Sequence, residues 1–551
     1  MPNSALRLQR YNLFLECTIF FAIFFIGKNV EDYYICRNDS IIKLLPIVKM
    51  TDMKRIVRKT ILAAAVAVAA TMSAGAEHLV ILHTNDTHSN INPTSEDLGG
   101  VLRRKVVVDS VRAAEKNVLL VDAGDVVQGT LYFTLYRGEV EHKAMNAIGY
   151  DLATLGNHEF DNGATELAGL LRNDNATWIS TNYDVDESPL AGLVVPYVVK
   201  EYGGKRVGFM GLDIDPKGMI SARNVKGIKY IDVYEAAEHT AWSLRHNEKA
   251  DVVVALTHIG YSDKERANDS ILASISKNID LIIGGHTHTP LNPADPASLP
   301  TVIKNADGRD VVVAQLAWQG TTIGKVDIDL DSKAISSSVI AIDKRLDDRI
   351  DDDMRQMLSP YSHKVNSLMS IKVCKTTARL DEQSLINIFT DMLMEQGRKL
   401  AGEKVDLAIL NNGGIRNPFP KGTVSEGNVI MTIPFENTVV VLRIKGEALA
   451  RALAQMGKRP MNGLSGNADV TYDPAKGECT SIVINGKALD PEKYYKVVTI
   501  NYLADGGDYL SALTEGEVIA KSEHFLARDI ADALKKVKKP LKPDTTERLH
   551  H

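Results

Sequence analysis

Cysteine is scarce, with four in 551 residues, and two of these, Cys17 and Cys36, lie near the amino terminus. That excludes a disulfide-stapled miniprotein. Cys374 and Cys479 remain as a pair that can bridge in an oxidising compartment or stay free, a choice that spacing does not make. A long hydrophobic run is also missing. The apolar patch Cys17 to Ile26 is shorter than the roughly 20 residues a membrane span needs. Nor is there an excess of positive charge. Formal net charge is -6 for the whole chain, and residues 77 to 551 hold 54 basic against 65 acidic groups, a net of -11. A nucleic-acid-coating protein needs the opposite balance, so no nucleic-acid partner is expected. Internal repeats and low-complexity tracts are absent too. With 44% hydrophobic and 24% charged residues, the chain is neither disordered nor collagen-like, and its length suggests at least two domains.

Residues 53 to 76 read as an export signal. Met53 to Lys59 supplies a basic start, Ile61 to Ala70 an apolar core, and Ala74-Gly75-Ala76 a small-residue cleavage site. Cleavage after Ala76 begins the mature protein at Glu77 and sends it across the inner membrane to the periplasm. No cysteine follows the apolar core closely, so no stable membrane anchor is expected. A working export signal does not tolerate a long upstream extension. Translation is therefore expected to start at Met53 or Met50, with residues 1 to 52 not part of the protein.

From residue 78 onward, short continuous apolar runs end in polar clusters and alternate with helical stretches. The runs are His78 to Leu82, Val118 to Val121, Val252 to Leu256 and Leu281 to Ile283. Continuous rather than alternating runs predict strands buried on both faces, hence a layered α/β domain over 77–344. Arg345 to Ser370 is charged and predicts a helical connector. A second, smaller α+β domain over 371–540 opens with an amphipathic helix, Ser384 to Leu400. It continues with a strand at Val405 to Leu410, a strand pair near Val429 to Ile444, a helix from Glu447 and a late strand at Tyr495 to Ile500. Lys535 to Lys542 reads as a solvated face, and 541–551 as a tail.

The polar clusters carry the chemistry. Asp86 and His88 follow the first run, Asp125 the second, and Gly156-Asn157-His158-Glu159-Phe160-Asp161 combines amide, imidazole and carboxylate. His258 ends a third run, and Gly285-His286-Thr287-His288 follows a fourth. Residues i and i+2 leaving a strand point the same way, so Asp86 and His88 can share one ion. His286 and His288 can do the same or reach two neighbouring ions. Glycines beside Asp125, Asn157 and His286 allow sharp turns and close approach. Any one histidine is more often a core or surface residue than a ligand, but five clusters at five strand ends are not explained that way. Asn85-Asp86-Thr87 fits the N-glycosylation pattern, and a glycan there would sit on the ligands, so it is rejected. His158 with Asp161 three residues later supplies an imidazole and an orienting carboxylate for moving a proton. Glu159 fits a loop hydrogen bond better than direct catalysis.

In this order these motifs resemble the calcineurin-like metallophosphoesterases, whose fold is a two-sheet sandwich with flanking helices, four layers in all. The resemblance implies two divalent ions, Zn, Mn or similar. It assigns Asp86, His88, Asp125 and His288 to one and Asp125, Asn157, His258 and His286 to the other, with Asp125 bridging. Hydrolysis of phosphate esters follows, with His158 as general acid or transition-state stabiliser and Asp161 as its partner.

Residues 371 to 540 are similar to the C-terminal domain of the 5'-nucleotidases. The similarity rests on Arg379 with Asn387 and Asp391, Asn411 to Arg416, Pro434-Phe435-Glu436-Asn437, and Tyr502 to Asp508. It implies that Phe435 and Tyr502 stack on the base, that Asp508 accepts from ribose hydroxyls, and that Arg379, Asn411 and Arg416 hold phosphate or sugar. Tyr502 stands where relatives often carry Phe. The expected activity is removal of the 5'-phosphate from nucleotides. UDP-sugar hydrolysis and 2',3'-cyclic nucleotide phosphodiesterase action are alternatives. An inactive nucleotide-binding surface protein is the non-enzymatic one, and a sulfur-ester hydrolase would not need the aromatic pair. Intact-mass measurement of the exported protein should give a chain beginning at Glu77, and one beginning before Met50 would overturn the reading of the leader.

Overall fold

The computed structural model describes residues 77–459 and 463–551, so the expected export signal at 53–76 and the stretch before it lie outside the described residues. Two sheets stack in the first half of the chain. One runs in the order Ala334–Ala341, Thr322–Asp329, His78–Thr84, Val118–Asp122, Leu152–Thr154, Thr177–Ile179, Val194–Val195. The other runs Val302–Lys304, Asp310–Gln315, Leu281–Gly284, Val252–His258, Lys205–Asp213, Tyr197–Tyr202. The four apolar runs all lie inside these sheets and pair in parallel two by two, the first with the second and the third with the fourth.

Side-chain alternation builds the layers. Leu79 and Ile81 point into a core between the sheets, with Val252, Val254, Leu281 and Ile283 facing them. Val80 and Leu82 point the other way, under the helices Val101–Ala114 and Glu139–Ile148. Val253 and Ala255 meet the helices Val233–His246 and Asp269–Ile275. Both faces of each central strand are thus apolar, which is why the runs are unbroken in sequence. The architecture is helix, sheet, sheet, helix, joined to a mixed α/β second domain.

The connector forms a short turn of helix, Lys344–Arg349, and a long helix, Asp352–Ser370, capped by the Asp351 side chain. Met354, Leu358 and Val365 bury against the first domain's core. Tyr361 meets Tyr136 edge-on at 4.8 Å. The connector is therefore fastened to the first domain along most of its length.

The second domain centres on a five-stranded sheet, Gly463–Leu464, Leu407–Leu410, Tyr494–Ile500, Thr438–Lys445, Glu517–Phe525, against which the helix Glu382–Ala401 packs. One sequence expectation fails here. Val429 to Met431 belong to a helix, Glu426–Thr432, rather than to the first strand of a pair. Ser425 accepts from Asn428 N at 3.1 Å while Asn428 Oδ1 accepts from Ser425 N at 2.9 Å. That reciprocal cap satisfies the first-turn donors and outweighs the β preference of Val429 and Ile430.

The expected tail is also corrected. Leu549–His550 pairs in parallel with Ala468–Asp473. Arg548 is 9% exposed and forks onto Asp391 with two bonds of 2.9 Å, and Asn387 Nδ2 donates to the carbonyls of Asp544 and Thr546. Asn387 and Asp391 thus anchor the chain end. Cys374 and Cys479 are both free, one on a strand paired with Gly422–Ser425 and the other in a separate four-stranded sheet. Deleting residues 541–551 removes a strand and takes Arg548 from Asp391, which keeps only the hydrogen bond from Gly466 N among the described residues. We expect a loss of about 2 kcal/mol or more, read as a lower denaturation midpoint; an unchanged midpoint would restore the tail.

Candidate active site

All seven candidate metal ligands stand at or just beyond the carboxyl ends of sheet strands: His258 closes Val252–His258, and Asp86, His88, Asp125, Asn157, His286 and His288 follow theirs by a few residues. The backbone must turn sharply there. Asp86, His88, Asp125, His286 and His288 all have positive φ, between 46° and 77°. Left-handed backbone at a non-glycine residue costs roughly 1–3 kcal/mol each and persists where surrounding structure imposes it. Glycine is required where the loops touch. A Cβ on Gly124 would lie 2.7 Å from both Gly156 N and His258 Nδ1, and one on Gly156 would overlap Asp125 Oδ1.

The side chains converge. Ligand atoms of Asp86, His88 and His288 form one group within 4.8 Å of one another, and those of Asp125, His258 and His286 form another. His258 Nε2 lies 3.1 Å from Asp125 and 4.0 Å from Asp86, so the two groups adjoin. Asn157 Oδ1 is 3.0 Å from His286 Nδ1. Asp86, Asp125 and His258 are almost wholly buried. His158 approaches the cluster as well, its ring falling within a third group with His88 and Asp125. Its Nδ1 is 3.0 Å from Asp161 Oδ2.

Glu159 has the loop role expected of it, on a larger scale. Its carboxylate accepts from Asp125 N at 3.0 Å, Val126 N at 2.8 Å and Gly156 N at 2.6 Å. One buried side chain thus binds the Asp125 loop to the Asn157 loop.

The electrostatics suit a cation. Desolvation opposes ionisation of Asp86, yet the His288 hydrogen bond and the charges of His258 and His288 hold it down at about 2. Asp125, with His258 and His158 beside it, is held well below the usual range against the same burial penalty. Burial pushes His286 down to about 3 and His88 well below its ordinary value, so both are neutral ligands. His258 is the exception. Burial would lower it, but the Asp125 charge and hydrogen bond, then Asp86, lift it to about 10. Burial likewise works against the His158 proton, and Asp161 and Asp125 overcome it and raise the pKa. Mixed oxygen and imidazole donors gathered round two buried carboxylates fit a pair of divalent metal ions.

The second domain reaches this cluster. Arg416 is half-buried, and the charges of Asp125, Asp161 and Asp86 act on its guanidinium, although burial still lowers its pKa. Its guanidinium has no hydrogen bond to the protein among the described residues. Phe435 stacks on His158 with ring centroids 6.0 Å apart and planes at 27°. Asn411 is 6% exposed, and its Oδ1 has no partner. Tyr502 OH donates to Gly218 O across the domain boundary at 3.4 Å and accepts from Asp508 N at 3.1 Å. Asp508 pairs with Arg459. Arg379 is exposed, and the contacts that tie Arg416 to the cluster are not seen for it; it acts on Asp381 by charge.

Comparison with known proteins identifies the two domains. Residues 79–290 match the calcineurin-like phosphoesterase model, and residues 365–515 match the 5'-nucleotidase C-terminal domain model. Human 5'-nucleotidase is 31% identical over 492 residues, spanning 79% of this chain and 84% of the human one. The chain belongs to the 5'-nucleotidase family. A 5'-nucleotidase precursor from Thermus thermophilus superposes with a TM-score of 0.77 at 30% identity, covering 86% of this chain and 99% of that one. The trifunctional nucleotide phosphoesterase YfkN of Bacillus subtilis is 30% identical over 504 residues, but the match spans only 32% of its length. As a member of this family the chain is a metal-dependent phosphoester hydrolase.

Sequence reading missed Arg459, the partner of Asp508, and Trp318, whose ring lies on His288 at 5.2 Å. Neither sits in a recognisable motif, although Trp318 is one of three tryptophans in the chain.

The His258 pKa gives a test. Its value of about 10 in the folded, metal-free protein lies above the ordinary 6.5. The proton therefore stabilises that form fully below pH 6.5, and the contribution is lost as pH rises through 10. A metal ion must displace this proton. Metal uptake near neutral pH in weak buffer should release protons, and affinity should fall as pH falls. Uptake without proton release would mean that His258 is neutral.

Proposed function

We propose that this protein is an exported 5'-nucleotidase that removes the 5'-phosphate from nucleoside monophosphates, and in principle from di- and triphosphates. The observation that carries the reading is Arg416. It comes from the second domain, feels the carboxylates of the first, and among the described residues its guanidinium has no hydrogen-bond partner. Arginine is the natural fork for phosphate oxygens. Export rests on the leader at 53–76 alone, and the periplasm is its proposed destination. Among the described residues no helix is long and apolar enough to cross a membrane.

Asp86, His88, Asp125 and His288 would hold one ion, and Asp125, Asn157, His258 and His286 the other. When bound, two such ions supply Lewis acidity for both the attacking water and the phosphoryl oxygens of an in-line displacement. Arg416 and Asn411 orient the phosphate against them. His158 holds a proton because Asp161 and Asp125 raise its pKa. With Nδ1 engaged by Asp161, Nε2 is the atom that delivers a proton to the leaving oxygen. Phe435 and Tyr502 offer π-faces for the base, worth about 1–3 kcal/mol per base and tolerant of which base it is. Asp508 accepts from the ribose hydroxyls, with Arg459 setting its orientation.

Base and metals belong to different domains, so substrate access needs the domains apart and turnover needs them together. Because the connector helix packs on the first domain through Val365, the hinge belongs at its far end, near Ser370, rather than along the whole connector.

His158→Ala should lower kcat by about 10²-fold while leaving metal content unchanged. Arg416→Ala should lower kcat/KM for AMP and for a small phosphate monoester alike, because both present the phosphate that it holds, and an unchanged value for either would remove that role. An unchanged rate in His158→Ala would remove the acid assignment. AMP, UDP-glucose and 2',3'-cyclic AMP compared side by side separate the nucleotidase reading from the sugar-nucleotide and cyclic-phosphodiester alternatives. No turnover of any of the three would overturn the function.

A further inference from the structure

A histidine that ligates a metal through one ring nitrogen usually donates a hydrogen bond from the other, which fixes the ring. Two of the imidazoles at the cluster have such a partner. His258 Nδ1 contacts Ala123 O at 2.8 Å and His158 Nδ1 contacts Asp161, while His286 Nδ1 meets Asn157 Oδ1, a candidate ligand of the same ion. His88 and His288 do not. His88 Nδ1 is buried with no partner, and His288 makes no bond through Nδ1 among the described residues. Their Nε2 atoms approach each other at 3.1 Å. His288 is also less buried, its side chain 29% exposed against 2% or less for His88, His258 and Asp86.

Both of these rings touch Trp318. The indole lies parallel to His288, with centroids 5.2 Å apart and planes at 12°, and meets His88 edge-on at 6.1 Å and 79°. Parallel stacking on one histidine and a perpendicular contact to the other restrict two ring orientations with one side chain. The indole is itself placed by the metal-bearing strand end. Leu316 N donates to Asn85 Oδ1 at 2.9 Å, Asn85 Nδ2 donates to Leu316 O at 3.0 Å, and Gln319 N donates to Asp86 O at 2.8 Å. Gln319 is left-handed, with φ 65°, which turns the chain at this point. The Asn85-Asp86 strand end and the Trp318 turn are therefore one unit.

We propose that Trp318 is a positioning residue for the metal site made by Asp86, His88 and His288. It replaces the hydrogen-bond partners that the two histidines lack, and it reports on that site by its fluorescence. The proposal rests on the metal-centre reading above. Stacking holds the His288 ring in the plane that points Nε2 at Asp86 and covers one face of it from water. In the site built from Asp125, Asn157, His258 and His286, His258 has its own hydrogen-bonded orienter in Ala123 O, and that site does not need the indole.

The test uses the mature protein stripped of metal and titrated with Mn²⁺, a paramagnetic quencher. In a Trp178→Phe, Trp242→Phe background Trp318 is the only tryptophan, and its emission should fall as one of two ions binds. If that background does not fold, the difference in emission between wild type and Trp318→Leu gives the same readout. Trp318→Leu should weaken one of the two Mn²⁺ affinities by about tenfold or more and leave the other unchanged, the size seen when an outer partner of a ligand is removed. Trp318→Phe should recover most of the loss. Two ions bound by Trp318→Leu with wild-type affinities, or Trp318 emission that stays constant while both ions bind, overturns the proposal and leaves the metal centre standing. Failure of the wild-type protein to bind Mn²⁺, Zn²⁺ or Co²⁺ overturns the metal centre itself.

Discussion

Two buried carboxylates that must stay ionised side by side impose the constraint on which the rest of the structure depends. Asp86 and Asp125 are almost fully shielded from water and approach the same His258 nitrogen. Burial works against both charges, and the charge of Asp125 further opposes that of Asp86. Positive charge held between them is the only arrangement that makes such a pair tolerable. In the metal-free protein the His258 proton supplies part of it. This also explains why the surroundings are so firmly braced: the Glu159 carboxylate collects three backbone donors from two loops, and His286 N and Asn85 Nδ2 donate to Asp86. A loop free to relax would separate the charges rather than hold them for a cation.

The same constraint accounts for the backbone. Strands entering in parallel bring their ends to one edge of the sheets, but a strand continuing straight would carry its side chains past one another. Turning Asp86, His88, Asp125, His286 and His288 into left-handed conformations folds the ligands back over the edge. The cores between and outside the sheets oppose that local strain, since every central strand is apolar on both faces. Fold stability and site geometry are therefore coupled through a few residues at each strand end.

Much of this was legible in the sequence because the signals were local. Continuous apolar runs identified strands buried twice over, and a polar residue at each run's end lands near the others once the strands are parallel. The connector and the long helix from Glu382 were likewise readable from charge and periodicity. Elements decided by remote or reciprocal contacts were not. Val429 and Ile430 have β-branched side chains, and only the Ser425–Asn428 exchange makes them helical. Residues 541–551 look polar and terminal, and their order comes from Asp391 and Asn387, whose partners there lie 157 or 159 positions along the chain. Trp318 carries no motif, and its meaning depends on two histidines from different strand ends. Arg379 and Arg416 were equivalent on paper, yet Arg416 follows a tight turn after a central strand whereas Arg379 precedes an exposed helix start.

A protein with a formal charge of -11 over residues 77–551 must still attract an anion. Overall charge works against that encounter, so the attraction has to be local and confined to where the substrate reacts. In the proposed function Arg416 achieves this because of its neighbours. A guanidinium on the open surface would be screened and bound by water, whereas one half-buried and acted on by the charges of Asp125, Asp161 and Asp86 has lost solvent without gaining a hydrogen bond among the described residues. Its desolvation is already imposed by the fold before any ligand arrives, which reduces what phosphate binding has to supply. The opposing acidic charges keep the arginine in place without saturating its donors. Where the second domain meets the first, therefore, the acidic residues that repel a phosphate in isolation serve to prepare the cationic side chain proposed to hold it.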